Sequence, residues 1–552
     1  MATIGHILNR FEIKLKSMKK VLGILLLVSP MFEILAQIGL QINSSNDLDG
    51  YILYQPNNNV TTYLIDRKGY VVTEWDSDYQ PGRAVYLLEN GNLLKTARID
   101  NPNFIDGGRG GRIELINSNN EIIWSYELSN ESESLHHDIA YLPNGNILAI
   151  TWEKISEIVA LENGKNPDLM PTTGEIWMEK IIELEPLESN NANIVWEWRL
   201  IDHIIQDYDD TKPNYGNIQS NFRKLDFNYQ VEDNGSDWIH MNAIDYNEEL
   251  DQIVLSTPFL NEIWVIDHST TTEEASSSTG GDAGHGGDFL FRWGNNHSFG
   301  MSDLPDRYLF GQHNPHWVKE GEAWKILLFN NGRGRNEPYS NIERIDLTFE
   351  NDELNYTINN GVFNSTSTDI YTAENKLDFY SSFVSGVQDL GDNQYLICEG
   401  ANGRIFQIDD NKEIVWEYIN PIDTEPKCTE NQGETGGIVF RASFIPESFS
   451  GLSEYNVEPK YLLEELGCPL NIENDKVDII ADLHKLPNGD LAFSFADGVN
   501  NINFHSIDGK RLPFYHEGTQ NIIVEMHGNT GIIIVNCAFN NQKIAKKLVL
   551  KN

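Results

Sequence analysis

The sequence predicts an all-β protein, a six-bladed β-propeller followed by a small C-terminal β-sandwich. Three observations carry this reading. Short apolar runs recur around Asn-Gly turns, tryptophan-tipped strands follow them, and long helical periodicities are scarce between residues 50 and 420. Radial repetition of small antiparallel sheets leaves only short, protected edges, and repeat units of roughly 50–70 residues suit it.

The first pattern is a hairpin. Tyr86-Leu87-Leu88-Glu89-Asn90-Gly91-Asn92-Leu93-Leu94 returns as Tyr141-Leu142-Pro143-Asn144-Gly145-Asn146-Ile147-Leu148, and in degenerate form over Val387–Ile397. Asn-Gly between apolar runs marks a type I′ turn, whose two central residues both need positive φ. The second pattern follows the first: Arg112–Ile116 leads through a polar turn to Ile122-Ile123-Trp124, and Arg404–Ile408 leads likewise to Ile414-Val415-Trp416. Val71–Trp75 and Ile194–Trp198 are variants of the same ending. Six blades follow from the length available rather than from a count of clean repeats. Residues 207–236, 269–288 and 355–378 are expected as loops on the rim, with the Ser/Thr/Gly-rich stretch Ser269–Gly287 a flexible insertion.

At the start, Lys19-Lys20 precede an apolar run from Val21 to Val28, and Ala36 stands before Gln37. A basic segment, a short apolar segment and a small residue read as a secretory signal peptide, too short for a membrane span. Met18 stands where such a signal begins, so residues 1–36 are expected to comprise an N-terminal extension and signal peptide. The mature protein is then soluble and outside the cytoplasm, secreted or at the cell surface after passing the periplasm. The propeller is expected over residues 37–470.

Residues 471–552 change character: Leu486-Pro487-Asn488-Gly489, Ile502–Lys510, Gly531–Val535 and the basic tail Lys546–Lys551 read as the β-sandwich. Of the four cysteines, Cys428 and Cys468 flank one irregular segment and are the pair expected to bridge, with free buried thiols the equal alternative. No CxxC and no Cys/His zinc spacing occurs, so neither metal nor cofactor is expected.

The chain carries 83 acidic and 40 basic residues, a net charge of −43. Nucleic acid is excluded as a partner, because neutralising phosphates needs clustered Lys and Arg. An anionic substrate would require the field to be inverted locally by Arg, His or backbone N–H groups in a cleft.

Five stretches stand out in the central region: Leu135-His136-His137-Asp138, Asp237-Trp238-Ile239-His240-Met241-Asn242, Phe310–Trp317, Asn330-Asn331-Gly332-Arg333-Gly334-Arg335 and Phe379-Tyr380-Ser381. On these motifs residues 50–460 resemble the bacterial aryl-sulfate sulfotransferases. The resemblance implies a six-bladed propeller that moves a sulfuryl group from a phenolic sulfate to a phenol through an enzyme histidine, without a nucleotide sulfate donor. Residues 475–552 resemble the sorting domains of the type IX secretion system, through the Pro-Asn turn, the Asp508-Gly509-Lys510 turn and the closing Lys-rich strand, which implies that secretion machinery as a partner. Small-molecule aryl sulfates and phenols are the implied substrates.

The chemistry asks for these residue types under any name. Sulfuryl transfer, like phosphoryl transfer, needs a nucleophile, an in-line leaving group and cations on the equatorial oxygens. Neutral imidazole serves as nucleophile near pH 7, and Arg offers a planar fork to a tetrahedral oxyanion. His240, His313, His316 and Arg335 are therefore the expected catalytic residues, with Arg333, His136, His137, Asn242 and Tyr380 expected against substrate. Arg335 is preferred over Arg333 by its match to the family's Gly-Arg. Composition alone reads His240 as a buried structural histidine, His313 and His316 as loop-ordering residues, Arg333 and Arg335 as a solvated turn, His136 and His137 as residues one layer behind the substrate or at the rim, and Tyr380 as core. His203, His268, His285 and His297 are expected in solvent. In the family the sulfated histidine lies on a blade after the Gly-Arg loop, whereas here no histidine occurs between His316 and His484. The alternative function is a secreted propeller that binds glycans or surface polymers without catalysis.

Overall fold

The computed structural model describes residues 38–466, apart from 45–47, 189, 232–234, 303–306, 351–353, 425 and 428–435, and beyond them the strands between Ile480 and Val549. Six antiparallel sheets of four or five strands make a six-bladed propeller. Blades 2, 3 and 4 are contiguous in sequence, over Pro81–Glu127, Glu133–Arg199 and Ala243–Trp293, and blade 5 runs from His313 to Tyr371. The other two are composite. Blade 1 takes strands from Gly50 to Trp75 and its innermost strand from Val439–Pro446, while blade 6, over Gly386–Ile419, takes its outermost strand from Gly39–Asn43. The ring is thus closed twice, once by each end of the propeller segment. The six innermost strands contact one another in cyclic order around the axis.

The hairpins fall where the repeats place them, but not as type I′ turns, because Asn90 and Asn144 do not have positive φ. Gly91 and Gly145 hold φ of 82° and 90° in their turns, between strands paired Leu87↔Leu93 and Tyr141↔Ile147. The middle strands are buried on both faces, because each sheet packs between two others. Gln252–Thr257 and Glu262–Asp267 have no exposed residue. The tryptophan tips dock one blade on the next. Trp124 Nε1 donates to the carbonyl of Asn191 in blade 3, Trp198 Nε1 to that of Gly287 beside blade 4, and Trp416 Nε1 to that of Arg67 in blade 1. An indole supplies large apolar area plus one donor that must be satisfied, which suits a joint between sheets.

Several segments depart from expectation. Ser269–Gly287 is built rather than flexible: Thr271 caps a short helix over Thr272–Ala275 with a capping box, and Gly287 lies against the His203 ring. Within 355–378, Ser365–Tyr371 is the outermost strand of blade 5. His203 is buried, with its nitrogens on Asp288 and the carbonyl of Ala275, and stacks on Trp198. His285 is half-buried and His297 is exposed.

His268 is no solvent residue either. It bridges Asp251 at 2.7 Å and Glu183 at 3.1 Å, tying blade 4 to blade 3. Burial opposes its charge, but hydrogen bonds and attraction from both carboxylates push it up to about 9. A group raised in the folded state stabilises fully below its unfolded value, near 6.5, and loses that contribution as pH rises through its folded value. Urea unfolding from pH 6 to 10 should show the wild type losing on the order of 2–3 kcal/mol that His268→Gln lacks from the outset.

Of the C-terminal residues, Ile480–Lys485, Leu491–Phe495, Phe514–Glu517 and Asn521–Val524 form one sheet, and Val499–Ser506, Ile532–Phe539 and Gln542–Val549 another. Phe493, Phe504, Ile522, Val524 and Val535 share an apolar cluster. The signal segment, the Leu486–Gly489 and Asp508–Lys510 turns and the Cys428–Cys468 pair lie outside the described residues. Cys398 is a buried free thiol.

Candidate active site

Within or just before five innermost strands the backbone turns through positive φ at a residue with a side chain: Arg83 at 121°, His137 at 48°, His240 at 55°, Asn314 at 55° and Val384 at 52°. The strand pairing slips beside Arg83, His137 and Asn314. Such bulges re-aim side chains and cost of order 1–3 kcal/mol per residue, which the ring must hold in place. The outcome is convergence at one end of the axis. His137 has His240, Arg83 and His313 as electrostatic neighbours, although the four come from four blades.

His240 is the partly accessible imidazole of the cluster, with 16% of its side chain exposed against none for His136. Its Nδ1 is held by Asp237 Oδ2, whose other oxygen is buried without a donor, so this carboxylate is balanced chiefly by the imidazole. Burial works against the charged ring, yet Asp237 prevails and holds His240 above its ordinary value. Among the described residues its Nε2 carries no hydrogen bond. One face of the ring stacks on Phe259 at 4.6 Å and 10°, and the Arg333 guanidinium lies 5.6 Å from the centre of that phenyl ring.

His136 and His137 are no rim residues. Both are buried midway along the blade 3 inner strand, Glu133–Tyr141. Their Nδ1 atoms are 2.9 Å apart, and His136 Nε2 is 2.9 Å from Glu179 Oε2, with Trp152 stacked on the His136 ring at 4.1 Å. Glu179 Oε1 accepts the Met241 N–H at 2.8 Å. Burial depresses both imidazoles and lifts Glu179 well above the usual carboxylate range. His137 Nε2 is left without a hydrogen bond among the described residues. It abuts Gly108, where a Cβ would stand 2.0 Å away, and a Cβ on Gly107 would stand 4.0 Å from His240 Nε2. The Gly107-Gly108 pair therefore packs beside both unbonded nitrogens, and a side chain at Gly108 would collide with the His137 ring.

The other expected residues divide. His313 reaches the cluster with both nitrogens occupied: Nδ1–H donates to Asn331 Oδ1 at 2.8 Å and Nε2 accepts the Val384 N–H at 3.2 Å. Asn331 Nδ2 donates to the carbonyls of Ser381 and Val384, which fixes the orientation of its amide, and burial pushes His313 down to about 3. His316 donates Nδ1–H to the Asn314 carbonyl and has Arg441 and Asp389, not the imidazole cluster, as neighbours; burial pushes it to about 4. Asn242 ties blade 4 to blade 5 through the Gln312 carbonyl at 3.0 Å. Arg335 spends its guanidinium on the Tyr339 carbonyl and Asn341, whereas Arg333 is exposed beside Phe259. Geometry thus reverses the order of the two arginines. Tyr380 is held by its main chain, through Glu399 and Asn402, outside the cluster.

Four contributors lie outside every stretch singled out in the sequence, Arg83, Glu179, the Gly107-Gly108 pair and Arg441, and Asp237 stood in one of those stretches without a role. One residue along from His137, Asp138 accepts Arg441 Nη2 at 2.9 Å and the Tyr86 hydroxyl at 2.7 Å. Tyr86 also lines a cavity of about 790 Å³, with Asp245 and Phe449, at the other end of the axis. Arg441 interrupts the apolar alternation Val439-Phe440-Arg441-Ala442, a signal that was available.

The arylsulfotransferase (ASST) family model matches residues 39–444, which span the whole ring from outermost strand to closing strand. The chain belongs to the arylsulfotransferase family. That is a family of transferases, and the match includes every residue of the imidazole cluster. Among solved structures, a Bacteroides caccae protein of unknown function is 10% identical over 72% of this chain and 100% of its own, with a TM-score of 0.37. The virginiamycin B lyase of Staphylococcus aureus is 13% identical over 70% and 90%, at 0.30. The periplasmic gluconolactonase of Pseudomonas aeruginosa is 8% identical over 72% and 99%, at 0.32. No curated protein sequence matches this chain. In this arylsulfotransferase Arg83, Arg333 and the raised His240 bring positive charge to the imidazole cluster of a chain that is acidic overall.

Proposed function

We propose that the chain transfers a sulfuryl group from a phenolic sulfate to a phenol, with His240 as nucleophile. One observation carries this: an imidazole oriented through Nδ1 by Asp237, its Nε2 unbonded at a mouth lined by arginine and aromatic rings. The carboxylate keeps the proton on Nδ1, so the neutral ring presents its lone pair at Nε2. Nε2 attacks sulfur, the S–O(aryl) bond breaks, and its electron pair leaves on the phenolate. An acceptor phenol then attacks the same sulfur and the S–N pair returns to Nε2. Phe259 and Phe440, the latter 6.3 Å from both His137 and His313, offer walls for an aryl ring.

Incubating the protein with 4-nitrophenyl sulfate, with and without phenol, tests the reading. Acceptor-dependent release of nitrophenol is expected. Release without acceptor identifies a hydrolase, and absence of release across aryl sulfates leaves a binding propeller as the function. The same proposal places the enzyme outside the cytoplasm, supported by the Lys19–Ala36 pattern and by the order of turns in the last 80 or so residues, which resembles a type IX sorting domain.

A further inference from the structure

Phenol-to-phenol transfer has a proton problem. The leaving phenolate takes one proton in the first half-reaction, and the acceptor phenol gives one up in the second. No net proton is gained or lost, so a site closed to water needs a store that lends one and takes it back.

Resting on the transferase reading above, we infer that Glu179, His136 and His137 form this store, with His137 Nε2 as the group that exchanges the proton with substrate oxygen. The three side chains form an unbranched chain in which each link is 2.9 Å, and the Glu179 and His136 side chains are fully buried behind His137. In the loaded state the Glu179 carboxyl donates to His136 Nε2, His136 Nδ1–H donates to His137 Nδ1, and His137 Nε2–H faces the substrate. When Nε2–H passes to the leaving phenolate, the Nδ1 proton of His136 crosses to His137 and the Glu179 proton crosses to His136 Nε2. Glu179 is then a carboxylate accepting His136 Nε2–H and the Met241 N–H. The acceptor phenol reverses each shift. Both imidazoles stay neutral throughout.

Two features suit this arrangement. Trp152 stacks on His136 with rings 7° from parallel, so the ring cannot turn over and break the chain. Glu179 is fully buried, which favours the loaded state over a lone carboxylate, and the Met241 N–H limits the cost of the unloaded one. His240 cannot take both roles: its Nε2 is the bond-forming atom while the phenolate departs. His313 cannot serve because both its nitrogens are occupied.

The test is Glu179→Gln, which preserves a donor to His136 and an acceptor for Met241 but has no proton to lend. Steady-state kcat/KM is measured with phenyl sulfate, whose leaving phenolate is basic, and 4-nitrophenyl sulfate, whose leaving phenolate is not. Phenyl sulfate should fall about 10²–10³-fold and 4-nitrophenyl sulfate less than about tenfold, because only the former needs the proton in the transition state. An equal fall with both donors, or none, overturns the inference and leaves the transferase reading standing. The wild type gives a second measurement that does not depend on how the variant folds. A shallow dependence of log kcat/KM on leaving-phenol basicity, with a solvent deuterium effect on basic phenols, is expected; a steep dependence without one overturns the inference. Absence of phenol release from the wild type overturns the transferase reading and this inference together.

Discussion

Replacing His240 with glutamine is expected to lower kcat/KM for any aryl sulfate by about 10³-fold or more, because no other imidazole at the mouth has both a carboxylate-fixed tautomer and a free nitrogen. Asp237→Asn should cost about 10²–10⁴-fold for the opposite reason. The asparagine amide donates to Nδ1, the ring proton moves to Nε2, and the lone pair is lost although the ring stays in place. The pair separates chemistry from packing: Asp237→Asn removes the buried charge and should keep the wild-type stability within about 1 kcal/mol, whereas His240→Gln strands the buried Asp237 carboxylate and should also lose stability, so its activity is read on protein shown to be folded. The pH profile gives a further check. Only neutral His240 attacks, and Asp237 holds its value above 6.5, so kcat/KM in the wild type should rise through that raised value before reaching a plateau. Retention of activity in His240→Gln would refute the assignment.

The largest expected effect on stability lies in blade 4, away from the mouth. Arg292 and Glu262 are both buried, joined by contacts of 2.8–3.0 Å, and Arg292 Nη1 also donates to the carbonyls of Phe222 and Lys224. Arg292→Met leaves a carboxylate with its charge unmatched inside the sheet, at a cost of about 3–5 kcal/mol. Adding Glu262→Met should recover part of this, because an apolar pair removes the stranded charge. Recovery should be incomplete, since the two carbonyls lose their donor in either background. Denaturant midpoints of the two variants against wild type measure both effects; a loss below about 1 kcal/mol in Arg292→Met would contradict them.

Much of the ring was readable because local chemistry dictates it. Asn90-Gly91 and Asn144-Gly145 force turns, and Trp124, Trp198 and Trp416 mark outer strands because an indole there must find a partner on the next sheet. Blade 1 and blade 6 were not readable as composites, since pairing Gly50–Pro56 with Val439–Pro446 is invisible to any local pattern. The same holds at the site. His137, His240 and His313 could be named from motifs, but Glu179 lies 43 positions from the histidine it serves and reads locally as one more charge in an apolar strand. The arginine preference failed for a comparable reason. Arg335 and Arg333 share one loop, and the Tyr339 carbonyl and Asn341 claim the former through tertiary geometry.

The double closure has a consequence for how the enzyme comes into being. Gly50–Pro56 must wait nearly four hundred residues for Val439–Pro446, so the decisive pairing is among the least local in the molecule and should form late and slowly. Phe440 and Arg441 arrive with that strand. A nascent or prematurely ended chain can therefore raise several of its sheets and still lack one wall of the pocket and the cation beneath it. Competence is expected all at once, when the strand ending at Pro446 joins the ring, and a fragment that stops short of it should be silent rather than weakly active.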